Sequence, residues 1–481
     1  MKYVKKLRVA ASTALLFTVC MLAPDKSSAE VVDYTGGVKN ENTYEEYVFI
    51  TGQPIKFTGS NKDINVTIKE DDKKVTETYK LTLTGPKGEK LTRNFSYISN
   101  VTNHESVGQK TFIGDVTKFT EKITVGDITY TLDDYQLSKS TVKDVRPASD
   151  YYTGNANMRK TYTYSEGRGR NNTEKTILVE MDSRSEGYEN FWGASETQIV
   201  EQTITFGDGK VGSVKTNVSS RKSRTTNYEK NNATLSSFEG GYMLVSAANM
   251  LSSSYYQLPK ATGTVELDKD YMSRIERLII PKFRDLSSSW AKGNIEKLYS
   301  LGIFEDASNM FSPNTPMQRY DFAVAIGKAI DLRVLAEESK KKASTTSVFK
   351  DVRKTEKDYN YLQTAFNKGV IHGTTPETFN PDGNLTRQQA AAILVRALGM
   401  DTRAPDPNYS TNYADDDRID DYARDGVYIV TELGLMAGDG DNFKPKDKLT
   451  RAQAAAIIDR FLEYLEADLK QSFSDDILFL N

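Results

Sequence analysis

One pattern is written three times in the last two hundred or so residues of this chain, and a repeat constrains a fold more tightly than composition does. Phe311-Ser-Pro313, Phe379-Asn-Pro381 and Phe443-Lys-Pro445 are followed, eight residues after each phenylalanine, by Arg319, Arg387 and Arg451. Ahead of each stands an aromatic-x-Asp opening, at Phe283, Phe349 and Tyr413. A glycine–aliphatic step follows it, at Gly302-Ile303, Gly369-Val370 and Gly434-Leu435.

Each unit reads as helix, loop, helix. Ile295, Leu298 and Leu301 fall at helical spacing, as do Leu362, Ala365 and Phe366, and Val427, Val430 and Leu433. A glycine closes each of these first helices as a C-cap. The proline of Phe-x-Pro keeps the residue before it extended. The second helices are amphipathic, with Phe322, Ile326, Ala329 and Ile330 on one face in the first unit, and Ala454, Ile457, Ile458, Phe461, Leu462 and Leu465 in the third. One unit leaves its apolar face bare; three close on one another about a pseudo-threefold axis. The spacing places repeats at 281–335, 347–400 and 411–466, a linker at 340–346 and a tail at 467–481.

The arginine is the unexpected member. Thr386 with Gln389, and Thr450 with Gln453, have capping-box spacing, which gives those positions a structural reason to exist. In the first unit, Thr315 with Gln318 has the same spacing one turn earlier. An arginine in the first helical turn opposes the macrodipole by a few tenths of a kcal/mol or more. Two readings account for placing it there three times: an anionic ligand held by the guanidinium and the free N–H groups beside it, or an ion pair with Asp285, Asp351 or Asp415.

These repeats resemble the S-layer homology domain, which anchors surface proteins and surface enzymes to Gram-positive cell walls. The resemblance rests on the Phe-x-Asp opening, Trp290-Ala291 and Tyr422-Ala423 at helix starts, the Gly-Ile step, Phe-x-Pro, and Thr-Arg-Gln-Gln and Thr-Arg-Ala-Gln in place of the family's Thr-Arg-Ala-Glu. It implies a pseudo-trimer whose grooves bind a secondary cell-wall polysaccharide, one capped in that family with a pyruvylated sugar. The contacts it implies are Arg319, Arg387 and Arg451, the aromatics Trp290 and Tyr422, Gln389 and Gln453 of the motif, and Gly373 and Gly438 ahead of Phe-x-Pro. The first repeat departs from the pattern, with Gln318-Arg-Tyr-Asp321 and no such glycine, and the second has no tryptophan at its helix start.

Residues 30–265 read as all-β and sandwich-like. Ile64, Val66 and Ile68 alternate, Gly85-Pro-Lys-Gly88 writes a hairpin turn, and Ile123–Tyr130 and Ile204–Gly209 write two more. Tyr34-Thr-Gly-Gly37 returns as Tyr152-Thr-Gly-Asn155, so two tandem domains, 30–149 and 150–265, stand against one larger sandwich. Residues 266–280 are expected to form a connecting helix.

The first 29 residues read as a secretory signal: Lys2, Lys5, Lys6 and Arg8, the uncharged apolar run Val9–Ala23, then Ser27-Ser-Ala29. Cleavage there removes Cys20, the single cysteine, and with it disulfide and thiolate chemistry. Losing that leader also takes the net charge from −3 to about −7, which argues against nucleic acid as a partner. The basic loops Gly167-Arg-Gly-Arg170 and Ser220–Arg224 read as solvated.

Two histidines, His104 and His372, leave little for a triad, and no phosphate loop, dinucleotide fingerprint or zinc pair is present. Two carboxylates suffice for a glycosidase, so counting does not remove that class. The expectation is a non-enzymatic, secreted cell-surface protein without metal or cofactor. Its β-rich head would serve structural, S-layer or adhesive duty, with S-layer or other surface proteins as further partners and no membrane contact after signal cleavage. The alternative is a wall-anchored polysaccharide hydrolase with its carboxylates in the β-rich region.

Overall fold

The computed structural model describes residues 36–466 except 72, 167–172, 231–239, 281, 306–307, 332–346 and 402–409. The signal segment 1–29, the loop Gly167–Arg170, the linker 340–346 and the tail 467–481 lie outside the described residues.

The head is one antiparallel sheet of fifteen strands among the described residues. Order along the sheet follows order along the chain, apart from Ile64–Glu70, which pairs with Lys74–Thr84, and Arg274–Arg277, which pairs with Gly240–Leu258. The strands reach 20 residues, roughly 65 Å at the usual rise. The sheet curls until its first strands meet its last. Phe49 and Tyr256 lie 5.9 Å apart, Lys260 N–H donates to the Gly52 carbonyl, and Lys269 pairs with Glu45 at 2.8 Å. Inward-facing residues from Tyr44 round to Leu258 form a single core, giving the sandwich-like body that the alternation predicts.

Pairing continues across residue 149: Ile128–Val145 pairs with Ser149–Glu166 from Val145↔Asp150 to Thr131↔Thr163, with one bulge between Leu132 and Asp134. The core draws on both sides of that point, so no boundary between tandem domains interrupts the head. The connecting helix expected at 266–280 is instead the strand Ala261–Asp270 followed by Arg274–Arg277. Val265 and Leu267 turn inward while Glu266, Asp268 and Asp270 turn outward, a period of two that excludes a helix.

Deep in the head, Arg93 bridges Glu46, at 2.8 and 3.0 Å, and Glu121. Tyr162 donates to Glu121, Tyr44 to Glu46, and Lys160 lies 4.0 Å from Glu121. Burial alone would raise the Glu121 carboxyl. The Arg93 and Lys160 charges and the Tyr162 hydroxyl overcome it and hold the group at about 2.

The repeat region carries six α-helices among the described residues: α1 (Lys292–Ser300) and α2 (Arg319–Ala329), α3 (Tyr359–Asn367) and α4 (Arg387–Leu398), α5 (Asp421–Glu432) and α6 (Arg451–Glu466). Gly302, Gly369 and Gly434 end the first helix of each pair at φ of 70, 71 and 67°, the left-handed cap that glycine supplies without strain. Phe311, Phe322, Phe349, Phe379, Phe443 and Phe461 are all under 2% exposed, each worth about 1.5–3 kcal/mol of burial. On the axis, three backbone bonds form a ring: Leu385 N–H to Met317, Met317 N–H to Leu449 and Leu449 N–H to Leu385, at 2.8, 2.8 and 2.9 Å. That ring closes the pseudo-trimer.

The head docks on one end of this trimer. Helices end with carbonyls that lack intrahelical partners, and head groups donate to one in each long helix. Trp192 Nε1–H donates to Ala329 of α2, Ala148 N–H to Ala397 of α4, and Asn190 Nδ2–H to Leu465 of α6, all at 2.9 Å. Gly399 follows α4 at φ 65°, and a side chain there would press within 3.1 Å of Arg146 from the head.

Candidate ligand grooves of the repeat ring

The motif arginines lie at the opposite ends of the same three helices. Each reaches into the next repeat and lies over its Phe-x-Pro phenylalanine: Arg319 on Phe379 at 4.8 Å, Arg387 on Phe443 at 4.8 Å, and Arg451 on Phe311 at 4.5 Å. Nε donates to that phenylalanine's own carbonyl in all three, at 3.0, 2.8 and 2.9 Å. Nη2 of Arg319 donates to His372 and Nη2 of Arg387 to Ala437. The arginines therefore brace repeat to repeat around the ring.

The carboxylates of the opening motif do a different job from the ion pair considered above. Asp285 accepts from the N–H groups of Phe311 and Ser312, Asp351 from Phe379 and Asn380, and Asp415 from Phe443 and Lys444, at 2.6–2.9 Å. Ser312, Asn380 and Lys444 sit at φ of 58–59°, a non-glycine left-handed conformation that this grip sustains. Burial opposes ionisation of Asp285, and the two N–H donors outweigh it, leaving its pKa below the ordinary range. The first-turn N–H groups are not free either. Those of Arg319 and Tyr320 donate to Gly383 and Pro381, those of Arg387 and Gln388 to Asp447 and Pro445, and those of Arg451 and Ala452 to Thr315 and Pro313.

Gln389 and Gln453 return to the N–H groups of Thr386 and Thr450 at 3.1 and 3.0 Å, as capping boxes do. The cap expected from Thr315 and Gln318 is not made; the Thr315 hydroxyl donates to Ser312, and α2 begins at Arg319. A side chain on Gly373 would come within 2.2 Å of the Thr375 carbonyl, and one on Gly438 within 2.6 Å of Tyr413. Both glycines thus serve close packing. Trp290 and Tyr422 are the exposed pair, at 68% and 52%.

Pseudo-symmetry assigns each arginine a groove floored by the next repeat and walled by the first helix of the third. In the Arg319 groove, Gln388 Nε2–H reaches Asp420 at 2.6 Å and the Tyr422 hydroxyl at 3.3 Å. Tyr422 lies within electrostatic reach of both Arg319 and Arg396. Sequence reading passed over Arg396, although the signal was there: a basic residue stands nine positions after each motif arginine, as Lys328, Arg396 and Arg460. The Arg451 groove is a cavity of about 110 Å³ lined by Tyr320, Asp321, Lys328, Lys357, Glu305 and Arg451, among others.

The S-layer homology domain family matches residues 282–323, 348–391 and 412–455, the three units described above. An amylopullulanase of Thermoanaerobacterium thermosulfurigenes is 31% identical over 207 residues, 42% of this chain and 11% of that protein. An exoglucanase of Acetivibrio thermocellus is 32% identical over 184 residues, 38% of this chain and 16% of that protein. The surface-layer 125 kDa protein of Lysinibacillus sphaericus is 25% identical over 188 residues, 38% of this chain and 15% of that protein. The chain thus spans under a fifth of these relatives' lengths. Its C-terminal region carries S-layer homology domains, and the protein is secreted and anchored through them to the Gram-positive wall. The expectation of a non-enzyme is corrected here: proteins named as an amylopullulanase and an exoglucanase rank above the surface-layer protein in likeness, which overturns that reading.

Proposed function

We propose, from the premise that its C-terminal region is an S-layer homology anchor, that the chain binds a carboxylate-bearing secondary cell-wall polysaccharide through its inter-repeat grooves and works on polysaccharide with its head. The ring of arginines carries the first half. Nε and Nη2 of Arg319 and Arg387 are committed to carbonyls, while Nη1 of each has no protein partner among the described residues. A guanidinium stacked and fixed in this way offers a ligand one oriented charged edge at little entropic cost. Trp290 and Tyr422 supply exposed aromatic faces of the kind that sugar rings stack on.

The head's role is read from the hydrolases that share similarity with this chain. Its two most deeply buried acids, Glu46 and Glu121, are committed to Arg93 and closed to substrate, so a catalytic pair would come from its more accessible acids. Sedimentation of the chain with purified sacculi, before and after the secondary polysaccharide is stripped, tests the anchor; retention that survives stripping sinks it. Release of reducing ends from wall and plant polysaccharides tests the head, and a chain that binds but releases none removes the hydrolase reading alone.

A further inference from the structure

The three grooves share a brace but not a charge balance. We propose that the Arg319 groove grips the anionic end of the wall polysaccharide and that the Arg451 groove is shut by the chain's own acids. This rests on the reading of the repeats as a polysaccharide anchor.

Among the described residues, Arg396 makes no hydrogen bond or ion pair through its guanidinium, although burial depresses its pKa. A cation held partly out of water without a partner is costly, and an incoming carboxylate relieves that cost. Beside it stands Tyr422, half exposed, its hydroxyl steadied by Gln388. Across the groove Arg319 presents its open Nη1 edge. Two guanidinium groups and an aromatic face converge with no acid within ion-pair distance of either cation among the described residues. Asp401 acts on Arg396 only through its field, Asp351 beside Arg319 is held by the Phe379 and Asn380 N–H groups, and Asp420 is taken by Lys446 at 2.9 Å and by Gln388.

The Arg451 groove inverts each of these features. Lys328, at the position of Arg396, is buried and paired with both Asp358 at 2.9 Å and Glu305 at 3.2 Å. Glu305 takes the place of His372 and Ala437 in the other repeats and also holds Lys357 at 2.8 Å. Lys357 itself replaces the aromatic residue that Trp290 and Tyr422 supply elsewhere. Arg451 Nη1 lies 3.6 Å from Asp321. A carboxylate entering here meets Glu305 and finds every cation answered, so like-charge repulsion and lost pairs oppose it.

The test titrates the full chain with polysaccharide fragments released from purified sacculi by mild acid, followed by calorimetry. Arg396→Gln is expected to weaken binding by about tenfold or more, with its thermal melt recorded to show that it folds. Glu305→Ala supplies the residue that Ala437 already provides and removes the acid that faces an incoming carboxylate; it is expected to add one binding site per chain, a gain that misfolding does not mimic. Arg396→Gln binding like the wild type, or Glu305→Ala adding no site, overturns the proposal. A wild-type chain that binds no fragment at all overturns the anchor's ligand first, and this assignment with it.

Discussion

Anchor and head satisfy their charged groups by opposite means. In the anchor a small device is copied: Asp285, Asp351 and Asp415 each cross 26 to 29 residues to hold two N–H groups of a Phe-x-Pro turn. In the head, Arg93 joins Glu46, 47 residues before it, to Glu121, 28 after it, and does so once. A copied device leaves two in place when one is lost, whereas a single network has no reserve. The difference also decides which half can be altered to adjust binding without unfolding.

The sharpest way to break this contrast is Arg93→Met. It strands two buried carboxylates and is expected to cost the head about 3–5 kcal/mol, leaving a melting transition for the anchor unchanged in differential scanning calorimetry. A shift of both transitions together would show that head and anchor fold as one unit. Acid titration comes next. Glu121 is depressed from 4.5 to about 2, so its contribution is intact above pH 4.5 and is lost as pH falls through about 2. Far-ultraviolet circular dichroism at strand wavelengths should show the head weakening across that window, and Arg93→Met should abolish the dependence. The smallest effect belongs to Gln453→Ala, which removes one return bond of a capping box at about 0.5–1 kcal/mol. Its urea midpoint should fall while sedimentation with sacculi holds; lost sedimentation would restore Gln453 to the ligand contacts.

The anchor was readable because its tertiary contacts are encoded by short motifs at a fixed step. Phe-x-Pro, the arginine eight residues on, and the aspartate before them meet one another in the structure, so the repeat in sequence is also a repeat in contacts. What the arginine touches was not readable, since a cation on a neighbour's phenylalanine looks, along the chain, like a cation awaiting an anion. Arg396 escaped notice because an arginine on an amphipathic helix is ordinarily solvated, and only the loop of the same repeat and the helix start of the next reveal its setting. The head resisted for another reason. Ser183, Gln198, Ser220 and Ser252 are buried, so polar residues that suggest an outward face line the interior, and hairpin turns alone do not tell one curled sheet from two. A connecting helix was expected at 266–280, but the alternation of Val265 and Leu267 with Glu266 and Asp268 belongs to a strand.

The polarity of the three long helices has a mechanical consequence. Their arginine ends face away from the head and their carbonyl ends are fastened to it at Ala329, Ala397 and Leu465. A chain gripped at its arginine end therefore stands like a post on a tripod. The turns at Gly85–Gly88 and Phe206–Lys210 lie at the strand ends away from these contacts. Shear on those turns is shared among three parallel load paths and reaches the attachment plane as thrust along helices, the direction in which their hydrogen bonds are stacked.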